Sequence, residues 1–302
     1  EDDSLTGRLA NYDELTHQVV PPRELNGRWV RGVLYFVRLH KDVVEIADRF
    51  SARQQQGEGA AAAGAFLQPP LEPKRDPKRQ RKRASKELVR QLVTAGDIDT
   101  LVDYGFDDRR TLLFLQRLLY NPDEAARYRT AWLIGQVCAR LSSREPGPVA
   151  DLMHRLFEAC SDSAATSWGM VETIGAIIAA RPDIYGAFTR HLLNYMGDES
   201  TQAQVIWALG EIAANRPDLI RKTPFYSTFA FLGHDNPLIR GLMARLLGRI
   251  HATEALFQIM GLQADQHPIT IYEQGRPVHA TVALLATEAI ENIHRNKEAV
   301  HE

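Results

Sequence analysis

Along most of this chain the apolar residues recur at the spacing of one helix face. From about Arg28 to Phe50 they fall at Trp29, Val33, Phe36, Val37, Val43, Val44, Ala47 and Phe50. Arg31, Arg38, Lys41, Asp42, Glu45 and Asp48 lie on the opposite side, so the pattern predicts an amphipathic helix. Pro21-Pro22 and Asn26-Gly27 mark a turn before it, and a shorter helix is expected between Tyr12 and Val19. Two helices make a poor core, so residues 1–50 are expected to dock on the repeats that follow.

Between residues 51 and 85 the period vanishes. Gln54-Gln55-Gln56-Gly57, the small-residue run from Gly59 to Gly64, and prolines 69, 70 and 73 cannot maintain an apolar face. The segment reads as a linker. Its basic run consists of Lys74, Arg75, Lys78, Arg79, Arg81, Lys82 and Arg83, continued by Lys86, with Asp76 the one acid among them.

From residue 86 to residue 302 helical periodicity returns, and the sequence repeats. Trp168–Asp183, Ala203–Asp218 and Gly241–His251 align without gaps through their central parts, and Arg129–Cys138 is a fourth copy. The shared glycines, Gly135, Gly175, Gly210 and Gly248, lie 40, 35 and 38 residues apart. Second apolar helices are expected between them, at Leu112–Tyr120, Val149–Cys160, Ile184–Met196, Pro224–Leu232 and Thr253–Leu262. Each leads into a turn with an acid (Asp123, Asp162, Asp198, Asp235, Asp265) placed to satisfy the free N–H groups of the next helix. A period of about 37 residues with two helices per unit predicts an all-α α-solenoid.

The run Asp235-Asn-Pro-Leu-Ile-Arg-Gly-Leu-Met-Ala-Arg-Leu-Leu-Gly-Arg-Ile250 resembles the HEAT and HEAT-like (PBS lyase-like) repeat. In that pattern an Asp-x-x-Val-Arg start leads to Ala-x-x-Leu-Gly-x-Ile, and Trp207-Ala-Leu-Gly-Glu-Ile212 matches its second half. The resemblance covers about Arg110 to Arg295 and implies an α-α superhelix of four to five helix pairs, with no specific activity. The repeat arginine is kept at Arg127 and Arg240 but is replaced by Ser167 and Gln202 in the middle units.

One stretch breaks the helical pattern. Ile269 and Ile271 alternate with polar residues, a Gln-Gly turn follows, and Val278 resumes the alternation, which predicts a small β-hairpin insertion. It serves either as a ligand-touching loop or as a cap on the end of the stack. Tyr272, Arg276 and His279 are its candidate functional side chains.

Counted from each glycine, the apolar residues just before it and two after it must face the core. Positions three, six and seven before it lie away from that stripe. In HEAT-like arrays these second helices line the concave side, which puts Tyr128, Arg129, Trp132, Trp168, Glu172, Gln204, Trp207 and Arg245 on one inner surface. Tryptophan and arginine dominate contact hot spots, so a peptide, a partner helix or a disordered segment would suit this groove. The chain's own helix Arg28–Phe50 is another occupant it would fit, and sideways packing between repeats is the alternative use of the tryptophans.

Composition narrows the function classes. The chain is 44% hydrophobic and 25% charged, and no apolar run approaches the roughly 18 residues of a membrane helix. Glu1-Asp2-Asp3-Ser4 has neither the positive region nor the apolar core of a signal peptide. Cys138 and Cys160 sit in helical patterns and suit a reducing compartment, so a cytoplasmic location is expected. Phosphate-cradling glycine loops, Gly-x-Ser-x-Gly, His-Glu-x-x-His and Cys-x-x-Cys are absent from the sequence, so no catalytic residue, metal site or cofactor is expected. The metal hydroxylases among HEAT-like proteins use His-Glu pairs on successive repeats, and the chain's one such pair is His301-Glu302. His154 and His191 occupy matching places on consecutive first helices.

The formal charge of −2 conceals an asymmetry. Residues 74–86 hold eight Lys or Arg, and the rest of the chain carries 28 positive against 37 negative, a net of −9. A cationic tether on an acidic body binds that body, nucleic acid or an anionic membrane surface. The leading expectation is a non-enzymatic protein- or peptide-binding scaffold or adaptor. A nucleic-acid-associated protein using the basic linker is the alternative, and an accessory lyase or maturation factor acting on a client protein is a third.

Overall fold

The computed structural model describes residues 69, 71–76, 78–161, 168–223 and 225–301. The expected helices at Tyr12–Val19 and Arg28–Phe50, and most of the linker, lie outside the described residues.

The described part is a stack of helix pairs. It begins with α1 (Lys86–Ala95) and α2 (Ile98–Asp107), followed by α3 (Arg110–Arg117) and the long α4 (Glu124–Leu141). Next come α5 (Pro146–Ser161) and α6 (Met170–Ala180), then the short α7 (Pro182–Tyr185) and α8 (Thr189–Leu192) before α9 (Gln202–Asn215). The array closes with α10 (Pro217–Arg221), α11 (Pro237–Arg249), α12 (Leu256–Met260), strands β1 (Pro268–Glu273) and β2 (Arg276–Thr281), and α13 (Val282–His301). Helices α2, α4, α6, α9, α11 and α13 pack each on the next to form one layer, and the shorter elements pack against it.

The repeat glycines explain the spacing of that layer. A β-carbon on Gly135 would sit 2.9 Å from the Ala176 carbonyl oxygen; one on Gly175, 2.4 Å from Ala208 Cβ; and one on Gly248, 2.6 Å from Ala289 Cβ. Successive long helices approach backbone to backbone at these three points, which a side chain would prevent. Gly210 differs, because its nearest neighbours are guanidinium tips at 3.8 and 3.9 Å.

The repeat arginines also have a common task. Arg127 Nη1 donates to the carbonyls of Asn121 and Pro122, and Arg240 Nη1 donates to those of His234 and Asp235, in each case six and five residues back. Gln202 stands where the arginine is lost, and its Nε2 donates to the Met196 carbonyl, again six residues back. A shorter donor thus closes the same turn. Ser167 lies outside the described residues.

Three local expectations need correction. The stretch expected as one helix over Ile184–Met196 is broken into α7, a 3₁₀ turn at Gly186–Phe188, α8 and a second 3₁₀ turn at Leu193–Tyr195. Pro224–Leu232 was expected to be α-helical, but Phe225–Gly233 is 3₁₀, built from residues whose bulky or β-branched side chains lose rotamer freedom in an α-helix. Of the acids expected to cap helices, Asp123 does so by accepting from Ala125 N–H, but Asn236, not Asp235, caps α11. Asp198 bonds Ser200, and Asp265 pairs with Arg240 at 2.6 Å; Asp162 lies outside the described residues.

The basic segment lies along the first pair. Arg75 pairs with Asp103 at 2.6 Å and stands over the Phe106 ring, Lys82 approaches Asp103 at 3.8 Å, and Arg79 forks onto Asp107. Burial raises the Asp107 carboxyl, but hydrogen bonds from Arg79 and from the Lys82 N–H, with the charges of Arg79 and Arg75, outweigh it and hold the group below the ordinary carboxylate range. Upstream, the buried Glu72 receives Arg140 Nε at 2.6 Å, and its N–H donates to Ser143 Oγ.

Candidate functional site

The hairpin forms where expected and lies across the long-helix layer. β1 and β2 pair antiparallel from Pro268↔Thr281 to Glu273↔Arg276, leaving Gln274 and Gly275 as a two-residue turn. Both turn residues have positive φ (48° and 72°), the requirement of a type I′ turn. Glycine is needed at 275 for a second reason: a side chain there would meet Arg129 Cα at 3.0 Å and Trp132 Cβ at 3.1 Å. The hairpin tip therefore rests directly on α4.

Behind the tip, Tyr272 is the main anchor. Its ring stacks on Tyr128 (centroids 4.0 Å apart, planes 7° off parallel), and Trp207 meets Tyr128 edge-on at 4.8 Å. The Trp207 indole N–H donates to the Tyr272 backbone carbonyl at 2.8 Å. Next along the strand, the Glu273 carboxylate lies 2.7 Å from Arg245 Nη2 and 3.6 Å from Arg249 Nη2, and both arginines also reach Glu211. Ile269 fills the space above Gly241. An extended segment is thus held on the layer by aromatic stacking, one indole hydrogen bond to its backbone and a carboxylate on paired arginines.

This placement divides the residues predicted for the inner surface. Tyr128, Trp207 and Arg245 are buried beneath the hairpin and spent on it. Glu172 is fully enclosed and its Oε2 has no hydrogen-bond partner. Gln204 and Trp132 are half-buried, whereas Arg129 and Trp168 are exposed. Trp168 is 39% accessible, with the Arg127 guanidinium 5.7 Å from its ring centroid. An open groove read from the sequence is thus covered over the later repeats and accessible at its α4 end. The sequence could not show the cover, which comes from 65 residues further along in the case of Trp207 and Tyr272.

At that accessible end a cleft of about 790 Å³ opens between the α1–α2 turn, the start of α4 and the hairpin tip. Arg129, Trp132, Asp123, Gln274 and Arg276 contribute to its walls. Of the three hairpin residues singled out, Arg276 lines the cleft, Tyr272 is packed away behind it, and His279 is exposed and bonds Thr270 Oγ1 at 3.1 Å. Sequence reasoning missed Asp123 and Gln274 as wall residues, because it assigned Asp123 a capping role alone.

Burial pushes the Glu172 carboxyl up to about 7, offset in part by its own N–H and the Arg127 charge. It pushes the Cys160 thiol up to about 12 and raises the buried Cys138 thiol further. His191 packs near the Phe157 and Phe188 rings, and His154 lies 3.6 Å from Glu158. Among the described residues no three His, Cys, Asp or Glu side chains converge as metal ligands, and no helix is long and apolar enough to cross a membrane.

Of the basic run, Arg75, Arg79 and Lys82 turn onto α2, whereas Lys74, Lys78, Arg81, Arg83 and Lys86 are exposed.

No family model matches this chain, and no curated protein matches it. Among solved structures it is similar to a designed armadillo repeat protein in complex with the peptide (KR)4. The identity is 17% and the TM-score 0.44, over 69% of this chain and 92% of that one. The order of helix pairs, their layered packing and the shared turn-closing donors characterise the fold. It is an all-helical repeat of stacked helix pairs. Among the described residues, its one departure from an all-helical array is the two-stranded hairpin inserted before α13.

Proposed function

We propose that this helical repeat is a non-enzymatic scaffold that binds a protein or peptide at the α4 end of its long-helix layer. The observation that carries the reading is the cleft beside the hairpin tip, with exposed Arg129 and half-buried Trp132 in its walls. Exposed Trp168 adds a second aromatic from the next long-helix repeat. Aromatics and arginines of this kind supply most of the binding energy at protein interfaces. The hairpin supports the reading, because it illustrates how the layer holds an extended segment. Two cysteines that form no disulfide suit a reducing, cytoplasmic setting.

The test is affinity capture by the immobilised full chain, scored by quantitative mass spectrometry, beside a Trp132→Ala/Trp168→Ala variant. Specific partners should be lost from the variant while its thermal midpoint stays within a few degrees of wild type. Capture that is unchanged by the double substitution contradicts the reading.

A second reading has one observation in its favour. The basic segment turns five cations outward, a surface suited to the phosphates of a nucleic acid. Replacing Lys78, Arg81 and Arg83 with Ser should then abolish salt-sensitive retardation of an oligonucleotide; no retardation by wild type at low salt contradicts it.

A further inference from the structure

We infer that the cleft at the hairpin tip takes carboxylate side chains of an extended peptide in which acidic residues neighbour aromatic ones. This rests on the scaffold reading and narrows its partner class.

The charges at the cleft carry the argument. Arg129 reaches it from α4 and Arg276 from β2, both exposed. Arg129 Nη2 donates to the Thr94 carbonyl at 3.0 Å, and among the described residues neither arginine is paired with a carboxylate. The acid in the wall, Asp123, is committed to the Ala125 N–H at the start of α4. Two guanidinium forks are therefore present that no carboxylate among the described residues engages. Such forks bind carboxylates with directional, charge-assisted hydrogen bonds.

The hairpin supplies the template. Tyr272 lies on an aromatic ring of the layer while the adjacent Glu273 carboxylate meets Arg245 and Arg249. At the cleft the layer offers the same two elements again, the Trp132 indole and the Arg129 guanidinium, beyond the point where the hairpin turns back. A peptide seated there continues the chemistry that β1 begins.

The experiment is fluorescence anisotropy of the full chain at low salt with a fluorescein-labelled octapeptide of alternating Tyr and Glu, beside one of alternating Tyr and Lys. The acidic peptide should bind saturably and the basic one should not. Arg129→Glu and Arg276→Glu should each weaken binding by about tenfold or more. Both side chains are exposed, and unchanged circular dichroism and thermal midpoints establish that these variants fold. The combined Lys78→Ser, Arg81→Ser and Arg83→Ser variant should bind as wild type does. Loss of binding in that variant, survival of binding in both charge reversals, or no binding of the acidic peptide overturns the inference. Preference for the Tyr–Lys peptide, abolished by Trp132→Ala, overturns the acidic assignment while leaving the scaffold reading intact. Failure of the scaffold reading itself shows separately, in partner capture that ignores Trp132 and Trp168.

Discussion

Glu172 is the side chain least suited to its surroundings. It is enclosed on α6, with Tyr128, Arg127 and Glu124 of α4 and Cys160 of α5 as its electrostatic neighbours, and one of its oxygens is unpartnered. Its carboxyl is raised by burial to about 7, against an ordinary value near 4.3 in the unfolded chain. The unfolded chain therefore ionises first as pH rises. The Glu172 contribution is constant below about pH 4, falls between roughly pH 4 and 7, and by pH 8 has cost on the order of 3 kcal/mol of stability. Asp108, Asp218 and Asp265 act in the opposite sense. Their carboxyls are lowered to about 2, so their contributions are present above about pH 4 and fade in stronger acid. Urea denaturation between pH 5 and 8 should show wild type weakening and Glu172→Gln holding nearly flat. A variant that keeps the wild-type slope assigns the effect elsewhere. The sequence placed Glu172 three residues before a repeat glycine, like Trp132 and Trp207, and position alone cannot distinguish a covered site from an open one.

At the scale of elements, the glycine repeat acquires a physical cause. Gly175→Ala should cost about 1–3 kcal/mol, because its new methyl would meet Ala208 at 2.4 Å between two helices that cannot both move. Gly210→Ala, at the equivalent position, should be neutral or gain up to about 1 kcal/mol from helix propensity, since its nearest neighbours are arginine tips at 3.8 and 3.9 Å. Equilibrium denaturation of the two variants checks this, and equal effects would contradict the close-approach account. The layer helices were legible because their periodicity is local and long. The hairpin was legible because its alternation and Gln274-Gly275 turn are contiguous in sequence. The shorter elements were not, since an apolar run such as Phe225–Leu232 has much the same pattern in a 3₁₀ as in an α-helix. Gln202 was read as a lost repeat arginine, yet it makes the same bond to the preceding turn.

For the molecule as a whole, the near-zero charge proves to be internally arranged. Part of the basic run neutralises α2 through Asp103 and Asp107, and part faces outward. Which cations turn inward depends on the path of the backbone, and a charge count carries no such information. The same applies to the inner surface. Its residues could be grouped from the repeat, but their division into a covered part and an accessible cleft is set by contacts between distant segments. The central claim is that partners bind at the α4 end of the long-helix layer, beside the hairpin tip. Hydrogen–deuterium exchange of the full chain with and without saturating Tyr–Glu peptide tests it most directly. The account predicts slowed exchange in the first turns of α4 and across residues 268–281, with α3, α5 and residues 78–86 unchanged. Protection confined to residues 78–86 or to α3 and α5, with none at α4 or the hairpin, would contradict it.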